Sequence, residues 1–271
     1  GPVASNVAGA MRDFVHNAKM PLIIPNAGNN LLTGEKCSPW VIRTSFSNDQ
    51  INRVMGPWLY EQGHRTLYLM APDYAAGHQM MAAVRRGFTE AGGEVLGEEY
   101  PPLRETKDFA PYLAKVKAIR PDALYVFFAG GLAIQFVKQY HDFGLKAEIP
   151  LTGAGWLTSP LFLPAQGSAA AGFIGALNYV PTIDSDENRE FQFAFNEKYK
   201  RIASEFTVQG FDTGRLIVEA LKITGGGTAD KAAFVRAIHS VEFTGPRGPF
   251  RIDPLTNNVI QDIYIFETTQ V

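Results

Sequence analysis

Five histidines, one cysteine and a short run of acids are the residues in this 271-residue chain from which catalytic or metal chemistry would be built. His16, His64, His78, His141 and His239 are scattered, with no HExxH and no close pair suited to a metal, and polar helix-surface positions account for them. Glu61 and His64 stand three apart, which on a helix puts both on one face, but no third ligand is near them in sequence. A nucleophilic serine would be announced by GxSxG, a phosphate-cradling loop by GxxxxGKS/T and a dinucleotide turn by GxGxxG; none occurs. Asp184, Asp186, Glu187 and Glu190 gather at an expected helix start, where the macrodipole favours negative charge, so capping explains them better than acid–base catalysis. GPVAS at 1 to 5 reads as a Gly-Pro turn leading into a small-residue helix start, and the plain reading of Ser5 there is an N-cap.

The elements that must position these residues read as βα units. Short runs rich in β-branched and aromatic residues, at 21–25, 66–71, 94–100, 123–128, 148–153, 172–177 and 262–267, predict strands, most of them buried on both faces. Between them, 5–18, 48–62, 77–91, 108–118, 131–143, 187–201 and 209–224 predict helices, with Gly or Pro at their ends. Met80, Met81, Val84 and Phe88 form a core stripe rather than a cofactor box. Such alternation predicts a parallel sheet, whose ligands bind beyond the carboxyl ends of the strands. The loops 25–33, 71–77, 129–131 and 153–159 are therefore the ones to read for a ligand.

Bulk properties exclude several classes. With 46% hydrophobic and 19% charged residues the chain has ample core, and its length predicts two lobes. A formal charge of -2 supplies no basic field for a nucleic acid. Cys37 stands alone, so no intrachain disulfide or thiolate cluster forms. The longest apolar run, Leu124 to Ile134, is about half the ~20 residues a membrane span needs and is interrupted by Gly130 and Gly131. The chain does not start with Met or with a charged and apolar leader, so any signal peptide is expected to have been removed or to lie outside it.

A series of stretches in order carries a resemblance: GPVAS (1–5), MPLIIPNAG (20–28), RTSFSNDQ (43–50), DYAAGHQ (73–79), AGGEV (91–95), KDFAPYLAKVKAIRPDALYV (107–126), KQYHDFGLK (138–146), AAAGFIG (169–175) and FTVQGFDTGRLIVEAL (206–221). Together they resemble the type I periplasmic solute-binding proteins that serve branched-chain amino acid (Leu/Ile/Val) ABC transporters. The resemblance implies an α/β fold of two Rossmann-like lobes with parallel sheets and a hinge. It implies a front part of lobe one that this chain lacks, and hence instability of the chain by itself. It places three crossovers near 45–48, 177–180 and 245–249, giving lobe one as 1–46 plus 178–246 and lobe two as 47–177 plus 247–271.

For the site, the resemblance implies that Ser5 and the loop of Asn26, Ala27 and Gly28 hold a ligand carboxylate, with Asn29 and Asn30 as turn residues or donors. Departures from the amino acid binders narrow the ligand. Their lobe-two acid for the ammonium corresponds to Ala154, a carboxylate-holding threonine to Gly28, and two pocket tyrosines to Ala76 and Ala129. An ammonium buried without a partner costs several kcal/mol, which disfavours a free α-amino acid. The vacated volume, bordered by Tyr74, Phe128 and Trp156, suits a flat apolar body, as in the aromatic-acid branch of the family, and Gly130 is a further candidate ligand-binding residue. Phe128, Trp156 and Tyr74 also have plain packing readings.

The resemblance therefore implies a periplasmic receptor that binds a small aromatic carboxylate in an interlobe cleft and hands it to an ABC permease, with no cofactor, no metal and no catalytic residue. Binding of branched-chain or other amino acids, a ligand-sensing regulator of the same fold, and an enzyme of unrecognised type are the alternatives.

Overall fold

A computed structural model describes residues 1–269. In chain order the first elements are α1 (Ser5–Asn17), β1 (Leu22–Ile24), β2 (Val41–Arg43), α2 (Asn48–Arg53), α3 (Met55–Glu61), β3 (Thr66–Met70), α4 (Ala75–Glu90), β4 (Glu94–Glu99), α5 (Ala110–Ile119), β5 (Ala123–Val126) and α6 (Gly131–Asp142). They are followed by β6 (Leu151–Ala154), α7 (Leu163–Gln166), β7 (Ile174–Leu177), α8 (Asp186–Tyr199), α9 (Glu205–Ile223), α10 (Lys231–Ser240), β8 (Glu242–Gly245), β9 (Gly248–Ile252), β10 (Val259–Ile260) and β11 (Tyr264–Glu267). The chain divides into two compact units, Gly1–Asn48 with Asn178–Ile263, and Asp49–Leu177 with the chain from Tyr264 on.

One expected boundary is corrected. The stretch 247–263, assigned above to lobe two, lies in the first unit. TGPRG forms a tight antiparallel turn: β8 and β9 pair from Gly245↔Gly248 outward, and β10 pairs β9 through Val259↔Ile252. A parallel bridge from Arg43 to Asn258 fastens this meander to the end of β2. Gln270 and Val271, the last positions of the expected lobe two, lie outside the described residues.

In the first unit β1 and β2 run parallel, with Leu22↔Val41 and Ile24↔Arg43 in register. Ala8 and Val15 of α1 pack with Ile24, Ala27, Leu32 and Val41. Leu216 and Ala220 of α9 and Val235, Ala237 and Ile238 of α10 pack with Ile42, Phe250, Ile252 and Val259. The acidic cluster sits where the macrodipole favours it. Ser185 caps α8 by accepting from the Asn188 N–H, Asp186 and Glu187 occupy the first turn, and Arg189 pairs with Asp184 and Asp186.

The second unit is a six-stranded sheet in the order β11-β7-β6-β5-β3-β4. Five strands are mutually parallel, as the βα alternation predicts, while β11 pairs antiparallel with β7 and closes one edge. β4 alternates exposed and half-buried residues, the pattern of an edge strand with one wet face, and so is not among the strands buried on both faces. The core gathers Met70, Leu124, Val126 and Phe128 with Phe109 and Leu113 near and on α5 and Phe136, Val137 and Tyr140 on α6. Because β3, β5 and β6 are parallel neighbours, the loops after them leave from one end of the sheet.

Candidate functional site

In the first unit the start of α1 carries the candidate residue Ser5. Ala4 is the N-cap residue and no side chain caps the helix there, so the first-turn N–H groups have no intrahelical acceptors. Ser5 is buried at this turn, and its hydroxyl accepts from Asn48 Nδ2 at 3.2 Å. The loop after β1 is fitted against the same turn. Ala27 N–H donates to the Pro2 carbonyl at 3.2 Å, and Asn29 Nδ2 donates to the Ser5 carbonyl at 2.9 Å. Asn29 Oδ1 also accepts from the Leu31 N–H, the turn role expected of it. Asn26, half-buried, donates through Nδ2 to Gln209 Oε1 at 2.8 Å.

Gly28 is buried, and its carbonyl accepts the Asn48 N–H at 2.7 Å. A Cβ here would lie 2.3 Å from Asn48 Oδ1 and 2.5 Å from the Phe46 ring. Glycine is thus what lets the loop, Phe46 and Asn48 share this space, and a threonine has no room in it. Asn48 and Gln209 were missed in the sequence because their contacts span 43 and 183 residues.

In the second unit the rings at the carboxyl ends of β3, β5 and β6 form a row. Tyr74, the N-cap residue of α4, lies 6.2 Å from Phe127 between ring centroids, and Phe127 meets Trp156 edge-on at 5.8 Å. Burial pushes the Tyr74 hydroxyl up to about 12, so it remains a neutral donor at physiological pH. Ala76 and Ala154 are buried, Ala129 is half-buried, and Gly130 takes a left-handed φ of 62° as it leads into α6.

Phe128 does not belong to this row. It is fully buried in the core, stacked on Phe136 at 4.7 Å and edge-on to Phe109 at 5.1 Å. Successive residues leaving a strand point to opposite sides, so Phe127, not Phe128, stands with Tyr74 and Trp156. Strand alternation past Val126 was the available signal. The three loops hold one acid, Asp73, which is exposed and bonded to His78 Nε2 at 2.8 Å. Ala154 brings no charge to the end of β6.

Among the described residues no cluster of three or more His, Cys, Asp or Glu could hold a metal, and no helix is long and apolar enough to cross a membrane. The histidines are engaged singly: His16 with Ser38, His141 with Asp142 and His239 with Asn257. Cys37 is exposed.

The chain is similar to known proteins over almost its whole length. The periplasmic binding protein family matches residues 1–270. The Leu/Ile/Val-binding protein homolog 6 of Brucella melitensis is 31% identical over 270 residues, covering 97% of this chain and 67% of that protein. An ABC transporter solute-binding protein from R. palustris, crystallised with benzoate, superposes with a TM-score of 0.93 at 36% identity, over 98% of this chain and 73% of that one. A second, from Rhodopseudomonas palustris BisB5 in complex with 3,4-dihydroxy benzoic acid, gives 0.92 at 34%, over 99% and 73%. The family match over residues 1–270 and the superposition on these solved structures lead to one assignment: the chain belongs to the periplasmic binding protein family and has its type I fold.

Proposed function

We propose that this protein is the solute-binding component of an ABC importer and that its ligand is an aromatic carboxylate of the benzoate class. In the first unit, Ser5 with the first-turn N–H groups of α1 and the loop Asn26, Ala27 and Gly28 is the group suited to a carboxylate. In the second unit, Tyr74, Phe127 and Trp156, with the small Ala76, Ala129, Gly130 and Ala154, are the group suited to an aromatic ring. The observation that carries the reading is the ring row at the ends of β3, β5 and β6, in loops whose one acid, Asp73, is occupied by His78. Such walls favour a flat apolar body and leave an ammonium unpaired. The solved relatives that hold benzoate and 3,4-dihydroxy benzoic acid support the same class. A periplasmic location and delivery to a membrane permease follow from this role, and no bond is made or broken.

One observation favours an amino acid instead: the 31% identical relative from Brucella melitensis is a Leu/Ile/Val-binding protein homolog. Isothermal titration of the full chain with benzoate, 4-hydroxybenzoate and leucine decides between them. Saturable heat with a benzoate and none with leucine is expected; heat with leucine alone overturns the aromatic assignment.

A further inference from the structure

Arg43, the last residue of β2, is fully buried between Ile42 and Thr44 in a strand that is otherwise apolar. A buried guanidinium is ordinarily neutralised by an acid, because an unpaired buried charge is costly. Here the acceptors are neutral oxygens. Nε donates to Asn258 Oδ1 at 2.9 Å, Nη1 to the Asn29 carbonyl at 2.6 Å, and Nη2 to Thr33 Oγ1. Among the described residues no carboxylate forms an ion pair with it. Asp253, the acid of the neighbouring turn, spends its oxygens on the Leu255 N–H and the Thr256 hydroxyl, and Asp212 pairs with Arg247. Burial alone sets the titration of Arg43, lowering it to about 9, so it remains charged at neutral pH.

The bonds of this arginine lead to the start of α1. Nη1 grips the carbonyl of Asn29, and the side chain of the same Asn29 grips the carbonyl of Ser5. Nη2 holds Thr33 at the far end of the same short loop. Two hydrogen bonds therefore run from a buried positive charge to the residue that presents the candidate carboxylate ligand. We propose that Arg43 is the positioning residue of the carboxylate site: it fixes loop 29–33 against the first turn of α1 and leaves its charge to be answered by the ligand's carboxylate. The inference rests on the carboxylate reading above. A unit charge within about 10 Å, in a medium of effective dielectric about 20, changes the affinity for an anion by on the order of tenfold. A purely structural arginine, cross-linking β2 to 257–258 and to the loop, would not distinguish a charged ligand from a neutral one.

That difference is the test. The full chain and its Arg43→Gln and Arg43→Lys variants are titrated with sodium benzoate and with benzamide, its neutral counterpart. Arg43→Gln is expected to weaken benzoate about tenfold or more relative to benzamide, and Arg43→Lys to restore part of the ratio, since it returns the charge but not the planar fork. Benzoate affinity of Arg43→Gln within about twofold of the wild type, or equal losses for both ligands, overturns the inference while leaving the ligand class standing. Should Arg43→Gln fail to fold, Arg43→Lys decides: faster amide exchange over 29–33 with weakened benzoate supports the role, and unchanged exchange and affinity overturn it. A wild-type protein that binds no aromatic carboxylate overturns the proposed function itself.

Discussion

Arg247 Nε lies 2.7 Å from the carboxylate of Asp212, and both side chains are fully buried. The rest of the guanidinium donates to the Thr44 and Ser45 carbonyls and to Gln261 Oε1. The Ser45 carbonyl also accepts from Asn178 Nδ2 at 3.2 Å and from Gln261 Nε2 at 2.7 Å. These residues belong to the three places where the chain leaves the first unit, after Asn48, at Asn178 and after Ile263. A side chain from the tight β8–β9 turn thus binds together segments far apart in sequence. Burial holds the Asp212 carboxyl above its ordinary range in spite of the nearby arginine.

Removing one partner of such a pair leaves the other charge buried and uncompensated. Asp212→Asn or Arg247→Met is expected to lower the unfolding free energy by about 3–5 kcal/mol, whereas the double variant Asp212→Leu with Arg247→Met recovers much of that loss. Urea denaturation of the three variants measures it. Single variants within about 1 kcal/mol of the wild type would show that the pair contributes no more than an exposed one.

The long periodic elements were legible in the sequence because their burial is local and repetitive. α4 and α6 carry their core stripes on one face, and β3 and β5 are continuous apolar runs. β2 was not, being three residues long and containing a charge whose partners come from residues 29, 33 and 258. α10 was missed because its stripe is brief, Val235, Ala237 and Ile238, and β8 to β10 because Gly245, Pro246 and Gly248 read as a connection rather than a hairpin. The helix start at Ser5 could be read from the sequence. Asn48 and Gln209 could not, since nothing local marks an amide whose partner is distant in the chain.

Phe127 and Phe128 are adjacent in sequence and separate into different roles. Phe128→Ala removes a ring stacked on Phe136 and is expected to cost about 3–5 kcal/mol of stability. Phe127→Ala removes the ring that links Tyr74 to Trp156 and is expected to weaken benzoate by about tenfold or more, an aromatic contact being worth about 0.5–1.5 kcal/mol beyond its buried area. Titration and thermal melting of both variants check the separation. If Phe128→Ala, kept folded at low temperature, lost more affinity than Phe127→Ala, the ring row would be assigned to the wrong residue.

Asp122 gives the second unit a defined sensitivity to acid. Its Oδ2 accepts from the Arg65 N–H at 2.7 Å and the Thr66 N–H at 2.9 Å, tying the start of β5 to the start of β3. The Arg65 bond foremost, with those of Thr66, holds the carboxyl below its ordinary value of 3.8. A lowered folded-state value means that the stabilisation is fully present above pH 3.8 and disappears as pH falls through the lower folded value. Solvent screening at this exposed residue keeps the effect modest. Asp122→Asn is therefore expected to melt below the wild type at pH 6, with the gap closing as the pH is taken below 3.8. Melting curves from pH 6 into that acid range test the sign, and a gap that widened under acid would contradict the assignment of these bonds to the ionised carboxylate.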